Sequence, residues 1–241
     1  MKDIPNNCNQ ISSWIRERVV SANACGVVLG LSGGVDSAVA AALCKKAFPD
    51  DTLCLIMPCH SDPQDEEHAR LVADKLNLKI EKIVLDDIYD LFRKQVNSSD
   101  FESKSLLGNI KSRLRMITLY YYAGKYNYLV VGPTNKSELT IGYFTKHGDS
   151  GVDIMPIADF VKQEIYELSK YLGIPEAIIR KAPSAGLWDK QTDEDEMKIS
   201  YDQLDNYITM NRGESDIKNI IKEMIDKSEH KRNYPKIYKK Q

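Results

Sequence analysis

Short apolar runs alternate with amphipathic segments along the first half of the chain. Four of these runs predict strands, at residues 26–31, 53–57, 79–85 and 128–132. Apolar residues at helical spacing predict helices, around residues 11–19, 36–47 and 65–76. Strands that alternate with helices are typical of an α/β fold. We therefore predict a doubly wound, mostly parallel sheet with helices on both faces.

A further helix, predicted from about Asn109 to Lys125, is apolar on two opposite sides. Its apolar residues divide into one set of Ile110, Leu114, Ile117 and Tyr121 and another of Met116, Leu119, Tyr120 and Ala123. A helix with two apolar faces is usually covered on both. We expect one face to cover the sheet and the other to meet a partner subunit, which predicts a homodimer through helix 109–125. The alternative is a helix enclosed in one large core. The polar stretch 93–105 before it predicts a loop.

Composition narrows the class of protein. A chain of 241 residues suits one domain, residues 1–241. Its net charge of −2 argues against a generally basic nucleic-acid surface, so we expect no nucleic-acid partner. No signal peptide and no apolar run long enough to cross a membrane is seen, which predicts no membrane partner. The five cysteines form no Cys-x-x-Cys pair, and a reducing, cytoplasmic location explains them best.

The most informative motif lies between the first predicted strand and its helix. It consists of Gly30, Leu31, Ser32, Gly33, Gly34, Val35, Asp36 and Ser37. Glycines let the backbone turn its N–H groups toward one point, and the helix that follows aims its positive end there. This arrangement predicts a phosphate site, although an ordinary turn capped by Ser32 is the alternative.

The motif carries an aspartate where common phosphate loops carry a lysine. We expect an anion in a phosphate site to face a cation, so Asp36 is a candidate Mg²⁺ ligand. Glu138 follows the fourth predicted strand and opens at the same edge of the sheet. It is the candidate second carboxylate for that ion.

The motif resembles the pyrophosphatase loop of ATP-cleaving enzymes that activate a substrate as its adenylate. Further motifs resemble those of ammonia-dependent NAD synthetases, in the order of that family: Gly108–Met116, Asn135–Glu138, Gly142–Lys146, Lys181–Leu187, Gln191–Glu194 and Glu229–Arg232. The resemblance covers most of the chain. It implies an adenine nucleotide alpha hydrolase-like fold in which the C-terminal segment, residues 184–241, closes over the site.

The resemblance also implies roles for individual residues. The eight motif residues from Gly30 to Ser37 would hold ATP, together with Pro133, Lys162 and Ser184. Deamido-NAD (nicotinic acid adenine dinucleotide) would be bound by Arg113, Lys146, Asp153, His230 and Lys231. Asp36 and Glu138 would hold Mg²⁺, and Asp153 would orient or deprotonate ammonium as the catalytic residue. The family has threonine where this chain has Pro133, and proline offers neither a hydroxyl nor an N–H. Thr134 is the alternative donor.

The reaction implied is amidation of deamido-NAD by ammonia, with ATP as co-substrate and NAD, AMP and pyrophosphate as products. The loop 93–105 and the acidic stretch 189–196 would order over the site and exclude water. With no glutaminase portion expected, ammonia would be taken free or from another protein. Two alternatives stay open: a tRNA sulfur-transfer or lysidine-type enzyme with the same loop, and a non-catalytic adenine-nucleotide sensor.

Overall fold

The apolar runs of the sequence form a parallel sheet. The computed structural model describes residues 3–99, 101–188 and 191–240. Within them the strands are β1 (Gly26–Gly30), β2 (Thr52–Ile56), β3 (Lys79–Lys82) and β4 (Tyr128–Val130). The strand order is β3-β2-β1-β4, and every pair is parallel. Val28 at the centre of β1 lies opposite Leu53 of β2 and Val130 of β4.

Helices connect and cover these strands. In the described part of the chain they are α1 (Ile4–Ser21), α2 (Val35–Ala47), α3 (Pro63–Leu76), α4 (Asp86–Gln95), α5 (Lys104–Tyr126), α6 (Lys136–Ile141), α7 (Lys162–Tyr171), α8 (Glu176–Ile179), α9 (Asp193–Met197), α10 (Tyr201–Met210) and α11 (Ser215–Arg232). The predicted α/β architecture is therefore confirmed.

The sheet is buried on both faces. Val27 and Leu29 belong to a core formed with α1, α2 and α7, whereas Val28 between them belongs to a second core with α5. This follows from the two-residue period of a strand, which sends successive side chains to opposite faces. Full burial of an aliphatic side chain is worth roughly 1.5–3 kcal/mol, so this packing holds both helix layers on the sheet.

A third apolar cluster fixes the C-terminal helices. Ile141 at the end of α6 packs with Leu204 of α10 and Ile221 of α11. The side chains of Leu204 and Ile221 are fully buried. This packing brings the end of α11 next to the segment that follows α6.

The predicted loop at 93–105 is wrong at both ends. Helix α4 continues to Gln95 and α5 begins at Lys104, so the connection is short. Ser103 caps α5 by accepting a hydrogen bond from the backbone N–H of Leu106 at 3.2 Å. A start at Asn109 is therefore five residues late. The polar composition concealed the end of α4 and the first turn of α5, because most of the residues there are exposed.

Helix α5 does not divide into the two predicted faces, because Ile110 and Leu114 of the first set pack against the same core as Leu119 and Ala123 of the second. Leu119 and Ala123 are buried against the sheet. Ile117 and Tyr121 on the other side are 59% and 65% exposed. The described part of this chain therefore does not cover that other side. Across the same residues, no helix combines the length and the apolar character needed to cross a membrane.

Candidate active site

A cavity of about 710 Å³ opens at the carboxyl ends of the strands. Its walls come from the residues that follow β1, β2 and β4, from one side of α5, and from residues 181–188 and 191–196. Parallel α/β sheets bind their ligands at this edge. The cavity therefore lies where the fold places a substrate site.

The glycine-rich motif forms the turn between β1 and α2. Gly33 has a φ of 78°, and a side chain there would collide with the backbone carbonyl of Asp65. Gly34 is the N-cap of α2, and no side chain bonds the first-turn N–H groups of this helix. Ser32 instead exchanges hydrogen bonds with Ser37 and accepts one from the Gly34 N–H at 3.3 Å. The end of the helix is thus open to an anion, as the phosphate-site prediction requires.

Three charged groups meet beside this turn. The Lys162 ammonium lies 2.5 Å from Oδ2 of Asp36 and 3.7 Å from Oε1 of Glu138. The three side chains come from α7, α2 and α6, and they are 2%, 17% and 16% exposed. Sequence reasoning placed Asp36 and Glu138 on one metal and Lys162 on the ATP phosphates. The structure brings all three residues together, with the lysine between the two carboxylates.

Burial controls the charge of this cluster. Burial and the nearby Asp36 carboxylate raise the pKa of Glu138 to about 8. Burial lowers the pKa of Lys162, but its two carboxylate partners outweigh that effect and the net shift is upward. The lysine therefore stays charged, whereas Glu138 is largely protonated at neutral pH, and a further cation would favour its charged form.

Two residues that sequence reasoning missed orient the carboxylates. Asn135 donates to Oδ1 of Asp36 at 2.8 Å, and its side-chain oxygen caps α6 by accepting from the Glu138 N–H at 2.9 Å. Tyr201 donates to Asp193 at 2.9 Å, lies 3.3 Å from Glu138, and covers the Lys162 ammonium with its ring. The Asn-x-x-Glu capping pattern signalled the first of these contacts. No local pattern signals the second.

The donor set fits Mg²⁺. Carboxylate oxygens of Asp36 and Glu138 both approach one cationic group, the Lys162 ammonium, so one cation can reach both residues. Mg²⁺ commonly takes one or two carboxylates and completes its octahedron with phosphate oxygens and water. No group of three or more acidic, histidine or cysteine ligands occurs among the described residues. The candidate Mg²⁺ site is therefore the pair of carboxylates, Asp36 and Glu138, beside the phosphate turn.

Four of the predicted deamido-NAD residues lie around the segment that follows α6. Arg113 donates to the Lys146 carbonyl at 3.2 Å, and the Lys146 ammonium donates to the His230 carbonyl at 2.6 Å. Lys231 donates to the carbonyls of Gly142 and Phe144 and lines the cavity. Of these four residues, Lys231 lines the cavity, whereas Arg113, Lys146 and His230 lie behind it and Arg113 is exposed.

Asp153 lies apart from the other predicted site residues. Its carboxylate accepts from the Val130 N–H at 2.7 Å and from the Tyr120 hydroxyl at 3.1 Å. Burial and the Asp153 carboxylate raise the pKa of Tyr120 to about 12. Asp153 is not among the residues that line the cavity. Its catalytic role stays a prediction, and the structure does not bring it to Lys162 and Asp36.

The remaining predicted ATP residues line the cavity. Pro133, Thr134 and Ser184 all face it. Thr134 is buried and adjacent to Pro133, so a hydroxyl is available where proline offers none. The Ser184 hydroxyl accepts from the Gly186 N–H at 3.1 Å.

Residues 181–188 and 191–196 contribute one wall of the cavity. Leu187 donates through its N–H to Gln191 and accepts from the buried Lys111 ammonium through its carbonyl. Gly108 permits this contact, because a side chain there would meet Leu187 at 3.0 Å. Part of the predicted covering stretch 189–196 lies outside the described residues, namely Asp189 and Lys190. Asp193 and Glu196 of the same stretch line the cavity.

The all-parallel sheet with a glycine-rich phosphate turn at its carboxyl edge defines an adenine nucleotide alpha hydrolase-like protein. Solved NAD synthetases share this fold, including one from Burkholderia pseudomallei with 24% identity and a TM-score of 0.77.

The family follows from direct comparison. The family model described as NAD synthase matches residues 7–235, and the chain belongs to this family. It is 51% identical to the NH(3)-dependent NAD(+) synthetase of Carboxydothermus hydrogenoformans over 95% of each chain.

Two solved structures are similar over nearly the whole chain. The NMN synthetase of Francisella tularensis has a TM-score of 0.94 and 36% identity, covering 99% of both chains. The NH3-dependent NAD synthetase of Campylobacter jejuni, in complex with the nitrate ion, has a TM-score of 0.82 and 34% identity, covering 99% of this chain and 100% of that one.

Proposed function

We propose that this protein is a cytoplasmic, ammonia-dependent NAD synthetase. It uses ATP to amidate deamido-NAD with ammonia and releases NAD, AMP and pyrophosphate in the last step of NAD biosynthesis. The nicotinate carboxylate attacks the α-phosphate of ATP and pyrophosphate leaves. Ammonia then attacks the carbonyl carbon of the adenylate, and AMP leaves with the NAD amide formed.

The observation that carries the proposal is the group of Asp36, Glu138 and Lys162 beside an uncapped helix N-terminus. An uncapped N-terminus and a lysine favour phosphate, and paired carboxylates favour a divalent cation. Together they suit a nucleotide triphosphate bound with its metal. Membership of the NAD synthase family supplies the rest of the reaction.

Each group in the cavity has a separate task. The N–H groups in the first turn of α2 bind the departing pyrophosphate. Asp36 and Glu138 hold Mg²⁺, which neutralises phosphate charge when it is bound. Lys162 stays protonated and adds positive charge beside the reacting phosphate. Asn135 holds Asp36 in place so that none of these groups has to reorganise during the reaction.

Basic residues at the other margin bind the acceptor. Lys231 lines this side of the cavity and Lys146 lies close behind it, so the phosphates of a dinucleotide would be attracted there. Arg113 borders this group through the Lys146 carbonyl. The wall formed by Leu187 and Gln191 keeps water from the adenylate, which would otherwise hydrolyse.

The test is a direct assay with purified protein. Wild-type protein with ATP, Mg²⁺, ammonium and deamido-NAD should form NAD, AMP and pyrophosphate in equal amounts. Glutamine in place of ammonium should give far less product. Asp36→Asn should abolish NAD formation. Folded wild-type protein that forms no NAD under these conditions would refute the proposal.

A second acceptor is favoured by one specific observation. The structural likeness to the NMN synthetase of Francisella tularensis is high, with a TM-score of 0.94. The same ATP chemistry applied to nicotinic acid mononucleotide would give nicotinamide mononucleotide. Comparing kcat/KM for the two acceptors separates the candidates. We expect deamido-NAD to be preferred, because its added AMP portion can use the basic margin of the cavity.

We also propose a homodimer through α5. Leu106, Ile117 and Tyr121 are between 47% and 65% exposed on one side of this helix, and a second copy can cover them. Sedimentation at micromolar concentration should give twice the monomer mass of 27.4 kDa. Ile117→Asp should shift the protein toward monomer, and a wild-type monomer would contradict the proposal.

A further inference from the structure

Arg115 lies in the wall of the cavity on α5. Its Nε donates to the Met57 carbonyl at 3.1 Å and its Nη2 donates to the Ser61 hydroxyl at 3.1 Å. Both partners follow β2, so they belong to the same edge of the sheet as the phosphate turn. Neither partner is charged.

The guanidinium forms no ion pair with any carboxylate of the described residues. Two carboxylates influence it at longer range, those of Asp65 and Asp149. Asp65 is paired with Lys181 at 2.5 Å, and Asp149 accepts from the hydroxyl of Ser112 at 2.7 Å. Burial lowers the pKa of Arg115, as expected for a cation that has lost water without gaining an anion.

The position of Arg115 is suited to a nucleotide. Its partner Met57 borders the phosphate turn, since a side chain built on Gly30 would lie 3.2 Å from the Met57 methyl group. A guanidinium has five N–H donors, and the two bonds to Met57 and Ser61 leave others unused. Arg115 is half-buried, and a cation that has lost part of its water and has unused donors costs free energy unless an anion completes it.

We propose that Arg115 binds an anionic oxygen of a nucleotide substrate in this cavity. This rests on the proposed function and adds a binding residue to it. Sequence reasoning selected Arg113 from the same motif, but Arg113 is exposed, whereas Arg115 faces the cavity. The oxygen belongs either to the phosphates of ATP or to the carboxylate or phosphates of the acceptor.

Two substitutions separate this role from a structural one. Arg115→Lys keeps the charge, and Arg115→Gln keeps a neutral hydrogen-bond donor for Met57 and Ser61. The control is Arg180→Met, because Arg180 is exposed and paired with Glu176 within its own turn. Calorimetry with Mg²⁺ and α,β-methylene-ATP, and separately with deamido-NAD, measures binding without turnover.

We expect Arg115→Gln to raise the Kd of one ligand by about tenfold to a hundredfold, the usual range for a lost charge-assisted bond. Arg115→Lys should lose less, and Arg180→Met should match wild type. The ligand whose Kd changes is the one that carries the oxygen bound by Arg115. Folded Arg115→Gln that binds both ligands as wild type does would overturn the proposal, as would equal losses in both variants with equal falls in Tm.

An NMR measurement and an NAD assay complete the binding experiment. If Arg115→Gln does not fold, wild-type protein labelled with ¹⁵N-arginine is used instead. Its Arg115 Nε resonance, assigned by its loss in Arg115→Lys, should shift when one of the ligands is added, and no shift with either would overturn the proposal. Wild-type protein from the same preparation is assayed for NAD, so that a failure of the proposed function is recognised separately.

Discussion

Replacing Lys162 by methionine tests how the catalytic cluster is held together. The substitution keeps the length of the side chain and removes its charge. It leaves Asp36 and Glu138 close together, 17% and 16% exposed, without the cation between them. Lys170 is the matched control, because it lies exposed on the same helix, α7.

The expected loss of stability can be bounded from the geometry. Removing one partner of a buried ion pair costs about 3–5 kcal/mol, because a charge is left buried and unpaired. Glu138 relieves part of this cost by taking up a proton, since its pKa already lies at about 8. We therefore expect about 3 kcal/mol at neutral pH. For a chain of this length that corresponds to a fall in Tm of about 6–12 °C.

Thermal unfolding with a metal chelator present measures this loss. Lys162→Met should melt well below wild type, and Lys170→Met should melt within about 2 °C of it. In a Glu138→Gln background the loss from Lys162→Met should shrink, because one carboxylate no longer needs the cation. The kcat/KM of Lys162→Met should fall at least about a hundredfold.

One pattern of results would refute the reasoning. If Lys162→Met melts as the Lys170→Met control does, the ion pair with Asp36 contributes nothing to the fold. If the losses from Lys162→Met and Glu138→Gln simply add, Lys162 and Glu138 are not coupled, and Glu138 has no part in the cluster.

Three shorter predictions follow from the glycines and from Glu138. Gly33→Ala should lose at least about 1 kcal/mol and bind ATP more weakly, because φ is 78° and the Asp65 carbonyl blocks a side chain; calorimetry checks this. Gly142→Ala should push Ser228 and the end of α11 away and raise the acceptor KM, with the KM for ATP nearly unchanged. Folding raises the pKa of Glu138, so the protonated Glu138 carboxyl stabilises the folded state. This stabilisation is complete below about pH 4.5 and is lost as the pH rises to about 8. Denaturant unfolding in a metal chelator should show this fall, at up to about 1.4 kcal/mol per pH unit, and Glu138→Gln should flatten it.

The fold was predictable from local patterns where burial is continuous. The runs at β1 and β2 are buried on both faces, and such strands read as unbroken apolar sequences. Helix α4 was missed because Ile88, Leu91 and Phe92 are all exposed, so its apolar residues face away from the core of this chain. A pattern search for a core-facing stripe cannot find such a helix.

The candidate site was predictable in its parts but not in its connections. The turn from Gly30 to Ser37 can be recognised from local sequence, because its glycines and its aspartate are neighbours in the chain. The contact between Asp36 and Lys162 joins residues 126 positions apart, and nothing local in either segment indicates it. The roles of Tyr201 and Arg115 were equally unpredictable from local sequence, because most tyrosines and arginines in helices do not line a binding site. Tertiary packing alone reveals which of them face the cavity.

The order of bond making is the central claim about the reaction, and an isotope experiment tests it most directly. Deamido-NAD is prepared with ¹⁸O in the nicotinate carboxylate and converted with unlabelled ATP, Mg²⁺ and ammonium. Attack of the carboxylate on the α-phosphate predicts AMP that carries one ¹⁸O atom and pyrophosphate that carries none. Unlabelled AMP, or label in pyrophosphate or inorganic phosphate, would contradict the account.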